Sequence, residues 1–297
     1  MYTQIDSNKR RTVILIGIFL IFIIGLGWVF SRALNNPFIV PIAVIVAILM
    51  SWASYWYSDK ITLAMSRAQE ISEDDAPKLY HIVENLAITA GLPKPRVYII
   101  NDPAPNAFAT GRDPNHAAVA VTTGLLEKLN KTELEGVIAH EMSHIGNYDI
   151  RLMTIIVTLV GIVALMSDFF IRWTWFGAGD REERGGGGQL QLILLVIGIV
   201  LAILSPFIAM LIQLALSRRR EYLADATGAL LTRYPEGLAS ALEKIALDPN
   251  PLRVANKATA HLYITNPLKE HGGLLNKLFS THPPAEERIA RLRSMIT

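Results

Sequence analysis

His140, Glu141 and His144 stand in the order H-E-x-x-H. On a helix, residues i and i+4 share a face with their Cβ atoms about 5–6 Å apart, so two imidazoles at this spacing can grip one metal ion. Glu141, one residue along, projects beside the metal position rather than onto it. It is placed to take a proton from a water activated there. The flanking sequence supports a helix. Thr132-Glu133-Leu134-Glu135 reads as a capping box, with Thr132 as the cap and Glu135 reaching back, and Leu134, Val137, Ile138, Met142 and Ile145 form an apolar stripe. Two surface histidines on a capped helix are the competing reading, and they leave Glu141 without a task.

The chain has no cysteine and seven histidines, so a metal must be held by imidazole and carboxylate. A catalytic zinc takes three protein ligands and keeps a position open for water. The stretch Ser217–Asp225, SRRREYLAD, supplies Glu221 and Asp225 on one helical face. Glu221 can be the third zinc ligand, and Asp225 can accept the second N–H of a ligating histidine. Salt bridges with Arg218, Arg219 and Arg220 compete for both carboxylates. Upstream, Arg96–Asn101 reads as a strand, and Asn106–Thr110 with Ala117–Thr122 as a hairpin around the turn Gly111–His116. A sheet edge beside a zinc site can pair with an extended peptide, although a structural hairpin fits the same residues.

These elements sit in an apolar chain of 297 residues, with 51% hydrophobic and 18% charged residues. Soluble chains are closer to a quarter charged, so neither disorder nor an ordinary soluble domain fits. A net charge of +2 offers no basic field for nucleic acid, and no G-x-x-x-x-G-K-[ST] loop is present to hold a nucleotide. The apolar residues fall in four runs: 12–30, 37–57, 152–171 and 190–216. Each is long enough to cross a hydrocarbon core of about 30 Å. The first reads as a retained anchor rather than a cleaved signal peptide, because no small-x-small site closes it. Trp52, Tyr55, Trp56 and Tyr57 suit the membrane–water boundary. The loop 172–189, with Gly185–Gly188, reads as exposed and flexible. Lys9, Arg10, Arg11, Lys60, Arg67, Arg151 and Arg218–Arg220 fall on one side of the membrane, the richer and therefore cytoplasmic side. The expected organisation is a cytosolic tail 1–11, a membrane hairpin 12–57, a cytosolic segment 58–151, a second hairpin 152–216 and a cytosolic segment 217–297. Polar residues on both sides of HEMSH put it at the membrane surface rather than inside a span.

Together, HEMSH, EYLAD, NAFATG…AVAVTTGLL and STHPPAEERIARL resemble the HtpX family of membrane zinc endopeptidases, relatives of the CAAX prenyl endopeptidases. The resemblance runs across most of the chain in the same order. It implies a mainly α membrane protein: four transmembrane helices and a cytosolic α+β zincin-like domain of gluzincin type, with a small sheet, assembled from two chain segments. It implies one zinc ion held by His140, His144 and Glu221, with Glu141 as base and Asp225 as support. Asn106, with Ala107 and Phe108 in the same edge segment, would hold the substrate backbone. His282 in THPP, or Tyr222, would support the oxyanion, though His282 also fits a plain role at the start of a helix. The implied substrates are misfolded or damaged membrane proteins, cut in their cytosolic parts at the cell inner or plasma membrane, as quality control under stress. A CAAX-type prenyl-protein protease and a non-enzymatic zinc-binding scaffold or adaptor are the alternatives. The first needs more spans, and the second has no use for Glu141. His81, His116, His261 and His271 read as surface or packing residues.

Overall fold

The computed structural model describes residues 2–33, 35–161, 218–254, 259–265 and 283–295. The expected spans beyond residue 161, the loop at 172–189 and His282 lie outside the described residues. Helices α1 (Tyr2–Ala33) and α2 (Ile39–Met65) are long and apolar enough to cross a membrane. Both run past the apolar stretches that predict them. α1 starts in the polar tail, and α2 continues beyond its aromatic belt. Leu15, Phe19 and Ile23 of α1 pack with Ala47 of α2 and with Leu152, Ile155, Ile156 and Leu159 from the helical residues 149–161.

Four strands follow: β1 (Gln69–Glu70), β2 (Arg96–Ile100), β3 (Ala107–Thr110) and β4 (Ala118–Thr122), in the order β1-β2-β4-β3. β2 and β4 are parallel, and β3 and β4 form the expected antiparallel hairpin, with Ala107 opposite Val121 and Thr110 opposite Ala118. Side chains alternate across a strand, and here both faces are covered. Val97, Ala107, Ala109, Val119 and Val121 meet α3 (Pro77–Ala90) and α5 (Lys131–Gly146). Tyr98, Ile100, Phe108, Ala118 and Ala120 meet Leu63 at the end of α2, Met153, Val157 and the stretch around Leu262 and Tyr263. The sheet therefore sits between α3 and α5 on one face and the ends of α2 and of the helical residues 149–161 on the other.

A short α4 (Thr123–Lys128) leads into α5. The cap of α5 is displaced from the predicted one. Asn130 caps the helix and Glu133, not Glu135, reaches back to the Asn130 N–H at 2.8 Å. Glu133 is chosen by its surroundings: it also accepts from Ser240 Oγ at 2.6 Å and from Lys244 Nζ at 2.7 Å, both on a later helix. Later in the described residues come α6 (Arg218–Thr232), α7 (Pro235–Leu247) and α8 (Ala285–Arg293). Leu238, Ala239, Ala241, Leu242, Ile245 and Leu292 join the residues of α3, α5 and the sheet in one apolar cluster.

Candidate metal centre

Gly228 brings α6 onto α5. A Cβ at Gly228 would lie 3.0 Å from the His140 backbone nitrogen and 3.2 Å from its Cα, so any larger residue would crowd the α5 backbone and push the helices apart. Asp225 and Glu221 are three and seven residues earlier on α6, on the same helical face, and so reach the His140 and His144 side chains of α5.

The outcome is a closed cluster. His140 Nε2 and His144 Nε2 are 3.1 Å apart. Glu221 Oε2 lies 3.8 Å from the first and Oε1 lies 3.6 Å from the second. All three side chains are buried. Behind the rings, His140 Nδ1 meets Asp225 Oδ1 at 2.9 Å and His144 Nδ1 meets Asp149 Oδ2 at 3.0 Å. A neutral imidazole donating Nδ1–H to a carboxylate keeps its lone pair on Nε2. Two nitrogen lone pairs and a carboxylate then point at one another, which is repulsive unless a cation lies between them. Their separations fit a tetrahedral shell, in which ligand bonds of about 2.0–2.1 Å put neighbours roughly 3.3 Å apart.

Without an ion, a proton on His144 takes the place of that cation. Burial works against an imidazolium at His144, but the Asp149 hydrogen bond and the Glu221 charge outweigh it and push the ring up to about 9. Burial carries His140 the other way, to about 4, despite Asp225. The cluster thus holds a place for positive charge. Glu141 is buried beside it. Burial pushes its carboxyl up to about 7, with His144 opposing and Glu221 adding to the rise, and the Ala109 N–H of β3 donates to it. A carboxyl poised near neutrality suits a group that must both take and return a proton.

Residues 73–296 match peptidase family M48. The chain belongs to peptidase family M48. It is 46% identical to "Protease HtpX homolog" of Caldanaerobacter subterraneus subsp. tengcongensis over 299 residues, covering 99% of this chain and 98% of that one. It is 49% identical to the protein of the same name from Tropheryma whipplei strain Twist, again over 99% of this chain and 98% of that one. Among solved structures, Ste24p of S. mikatae aligns with 95% of this chain and 65% of its own length, at 18% identity and a TM-score of 0.49. The family match and these relatives bear out the resemblance to HtpX, and this M48 peptidase is a membrane metalloprotease.

Three residues of the site escape a reading of spacing alone. Arg288 on α8 is buried and donates to Asp225 through Nε at 2.8 Å and Nη2 at 2.6 Å, and to the Ile264 carbonyl through Nη1 at 2.8 Å. Asp149, the acceptor behind His144, is read from the sequence only as a polar flank. Its Oδ1 accepts from Asn8 Nδ2 of α1 at 2.7 Å, and Arg220 Nη1 donates to Asn8 Oδ1 at 3.3 Å.

The other expected residues are also located. Asn106 precedes β3 and donates from Nδ2 to the Thr265 carbonyl at 3.3 Å. Ala107 accepts at its carbonyl from the Ile264 N–H at 3.0 Å. Phe108 turns to the opposite face, where its ring packs 5.2 Å from that of Tyr263. Tyr222 is directed at α8, with the Arg291 guanidinium 3.7 Å from its ring centre. His81 and His116 are at the surface, beside Glu73 and Asp113.

Proposed function

We propose that this M48 peptidase is a zinc endopeptidase with its active centre on the cytosolic face, on a chain that crosses the membrane four times, at 12–30, 37–57, 152–171 and 190–216. Segments 58–151 and 217–297 build one catalytic domain between them. Its substrates are the cytosolic parts of misfolded or damaged membrane proteins. The apolar cluster shared by α3, α5, α7 and α8 supports the composite domain, and the distribution of basic residues supports the orientation.

One observation carries the chemistry: the lone pairs of His140, His144 and Glu221 converge within 4.8 Å, with Glu141 beside them. A bound zinc supplies a Lewis acid and lowers the pKa of the water it holds toward about 7. His140, His144 and Glu221 hold the ion, and Asp225 and Asp149 fix the two rings. Glu141 takes the proton of the attacking water and returns it to the leaving amine. His282 supports the developing oxyanion by the family pattern. Tyr222, lying against Arg291, would have to turn to share that task.

The outer edge of β3 receives the substrate. Thr122 N–H donates to the Asn106 carbonyl, so the antiparallel alternation turns the Ala107 carbonyl and the Ala109 N–H away from β4. The chain itself uses both, through Ile264 and Glu141. Residues 264–265 therefore mark the path of an extended peptide: N–H to Ala107, carbonyl to Arg288, next carbonyl to Asn106. A substrate strand takes over these bonds, which use backbone groups and so ask little of its sequence. Phe108 contributes backbone position only.

The test is purification in detergent, metal analysis, and incubation with an unfolded model protein. Glu141→Gln should keep one zinc per chain and lose cleavage. Undiminished cleavage by a zinc-loaded Glu141→Gln protein would sink the assignment.

A further inference from the structure

Counting 1.5 Å per residue from Ile39, the ~30 Å hydrocarbon core is used up about twenty residues on, where Ser58, Asp59 and Lys60 begin the polar sequence. At that level α2 and the nearby end of the sheet line an open cleft of about 710 Å³. Trp52, Trp56 and Tyr57 line it together with Lys60, Lys94 and Arg112. The Arg112 guanidinium stacks 4.7 Å from the Trp56 ring centre, and Lys60 Nζ lies 5.6 Å from that of Tyr57.

The charges in the cavity do not balance. Asp59 is taken by Arg96 at 2.7 Å. Asp113 at its rim is taken by His116 at 2.7 Å and Arg112 at 3.6 Å. Among the described residues neither Lys60 nor Lys94 meets a carboxylate; each lies over an aromatic ring, Lys94 at 3.5 Å from Tyr80. Two ammonium groups without a carboxylate partner among the described residues therefore line the same cavity as Trp52 and Trp56, at the level where the apolar run of α2 ends. Ammonium groups favour a phosphate, and indole rings favour the boundary between headgroup and acyl chain.

We propose that this cavity binds the phosphate of an anionic lipid headgroup, with Lys60 and Lys94 on the phosphate and Trp52 and Trp56 against the first carbons of the acyl chains. A soluble phosphate shares the polar half of this chemistry but has nothing to set against the tryptophans. The proposal rests on α2 crossing the bilayer, which incorporation into plain phosphatidylcholine nanodiscs tests separately.

The test uses the full zinc-loaded chain, equilibrated in nanodiscs of phosphatidylcholine with phosphatidylglycerol, then released into mild detergent for native mass spectrometry. The wild type should retain phosphatidylglycerol in preference to phosphatidylcholine. Each lysine near an anionic surface is worth about a fivefold change in binding, so Lys60→Gln/Lys94→Gln should weaken that preference roughly 25-fold while cleavage of a soluble unfolded protein persists. Lys9→Gln/Arg10→Gln, at the same depth on α1, should leave it intact. An equal loss in both double variants would reduce the effect to general surface charge and overturn the site. Inorganic phosphate that raises the melting temperature in phosphatidylcholine alone, as far as phosphatidylglycerol does, would overturn the lipid assignment.

Discussion

Replacing Arg288 with methionine should strand a charge at the centre of the molecule. Arg288 is 1% exposed and makes two hydrogen bonds to Asp225, at 2.6 and 2.8 Å. Burial would raise the Asp225 carboxyl, but Arg288 and His140 hold it down at about 2. Removing one partner of a buried pair costs about 3–5 kcal/mol, because the other is left charged and unsolvated. That is a large part of the roughly 5–15 kcal/mol that holds a domain together. If the stranded charge is the cause, Arg288→Met combined with Asp225→Asn should be more stable than Arg288→Met alone, with a coupling of about 2–3 kcal/mol. Hydrogen exchange of the α5 and α6 amides, in the detergent-purified full chain, measures all four proteins. A chelator should be present throughout, so that metal binding does not add to the stability. Wild-type protection in Arg288→Met, or a double variant as unstable as the two singles summed, would refute the reasoning.

Asp149→Asn should weaken zinc binding about 10–100-fold by loosening the His144 ring, as read by competition with a metallochromic chelator; unchanged affinity would remove Asp149 from the site. Gly228→Ala places a methyl 3.0 Å from the His140 nitrogen, and the overpacked α5–α6 contact should cost about 1–3 kcal/mol and part of the bound metal. Burial works against the Glu133 carboxylate, but bonds from Lys244, Ser240 and Asn130 prevail and hold its pKa below the usual range. Its contribution is therefore complete above the ordinary carboxylate pKa and is lost as pH falls through the depressed folded value. Glu133→Gln should cost about 1–2 kcal/mol at neutral pH and flatten that acid limb in thermal melts taken across pH; an unaltered limb would count against the cap.

His140, Glu141 and His144 are legible in the sequence because helix period alone puts them together. Glu221 and Asp225 are legible because they share that period and zinc chemistry calls for a carboxylate. The hairpin is legible because its two strands flank one turn. Two kinds of feature are not. The capping box has two frames that satisfy the same local rule, Asn130 with Glu133 and Thr132 with Glu135, and contacts from Ser240 and Lys244 on a distant helix choose between them. Arg288, Asp149 and Asn8 act through partners 63, 5 and 141 residues away, and no periodicity links positions on separate elements.

Asn8 has a consequence for how the molecule can be taken apart. Its amide bonds the Asp149 carboxylate and the Asn147 carbonyl, and its oxygen accepts from Arg220. The first helix is thus bolted to the wall behind His144. A soluble version cut after the second hydrophobic helix would lose more than its tether. Asp149 and Arg220, 3.6 Å apart, would be left without the amide between them, and water would reach the back of the histidine. The boundary between anchor and enzyme, drawn in the sequence after residue 57, does not exist in three dimensions.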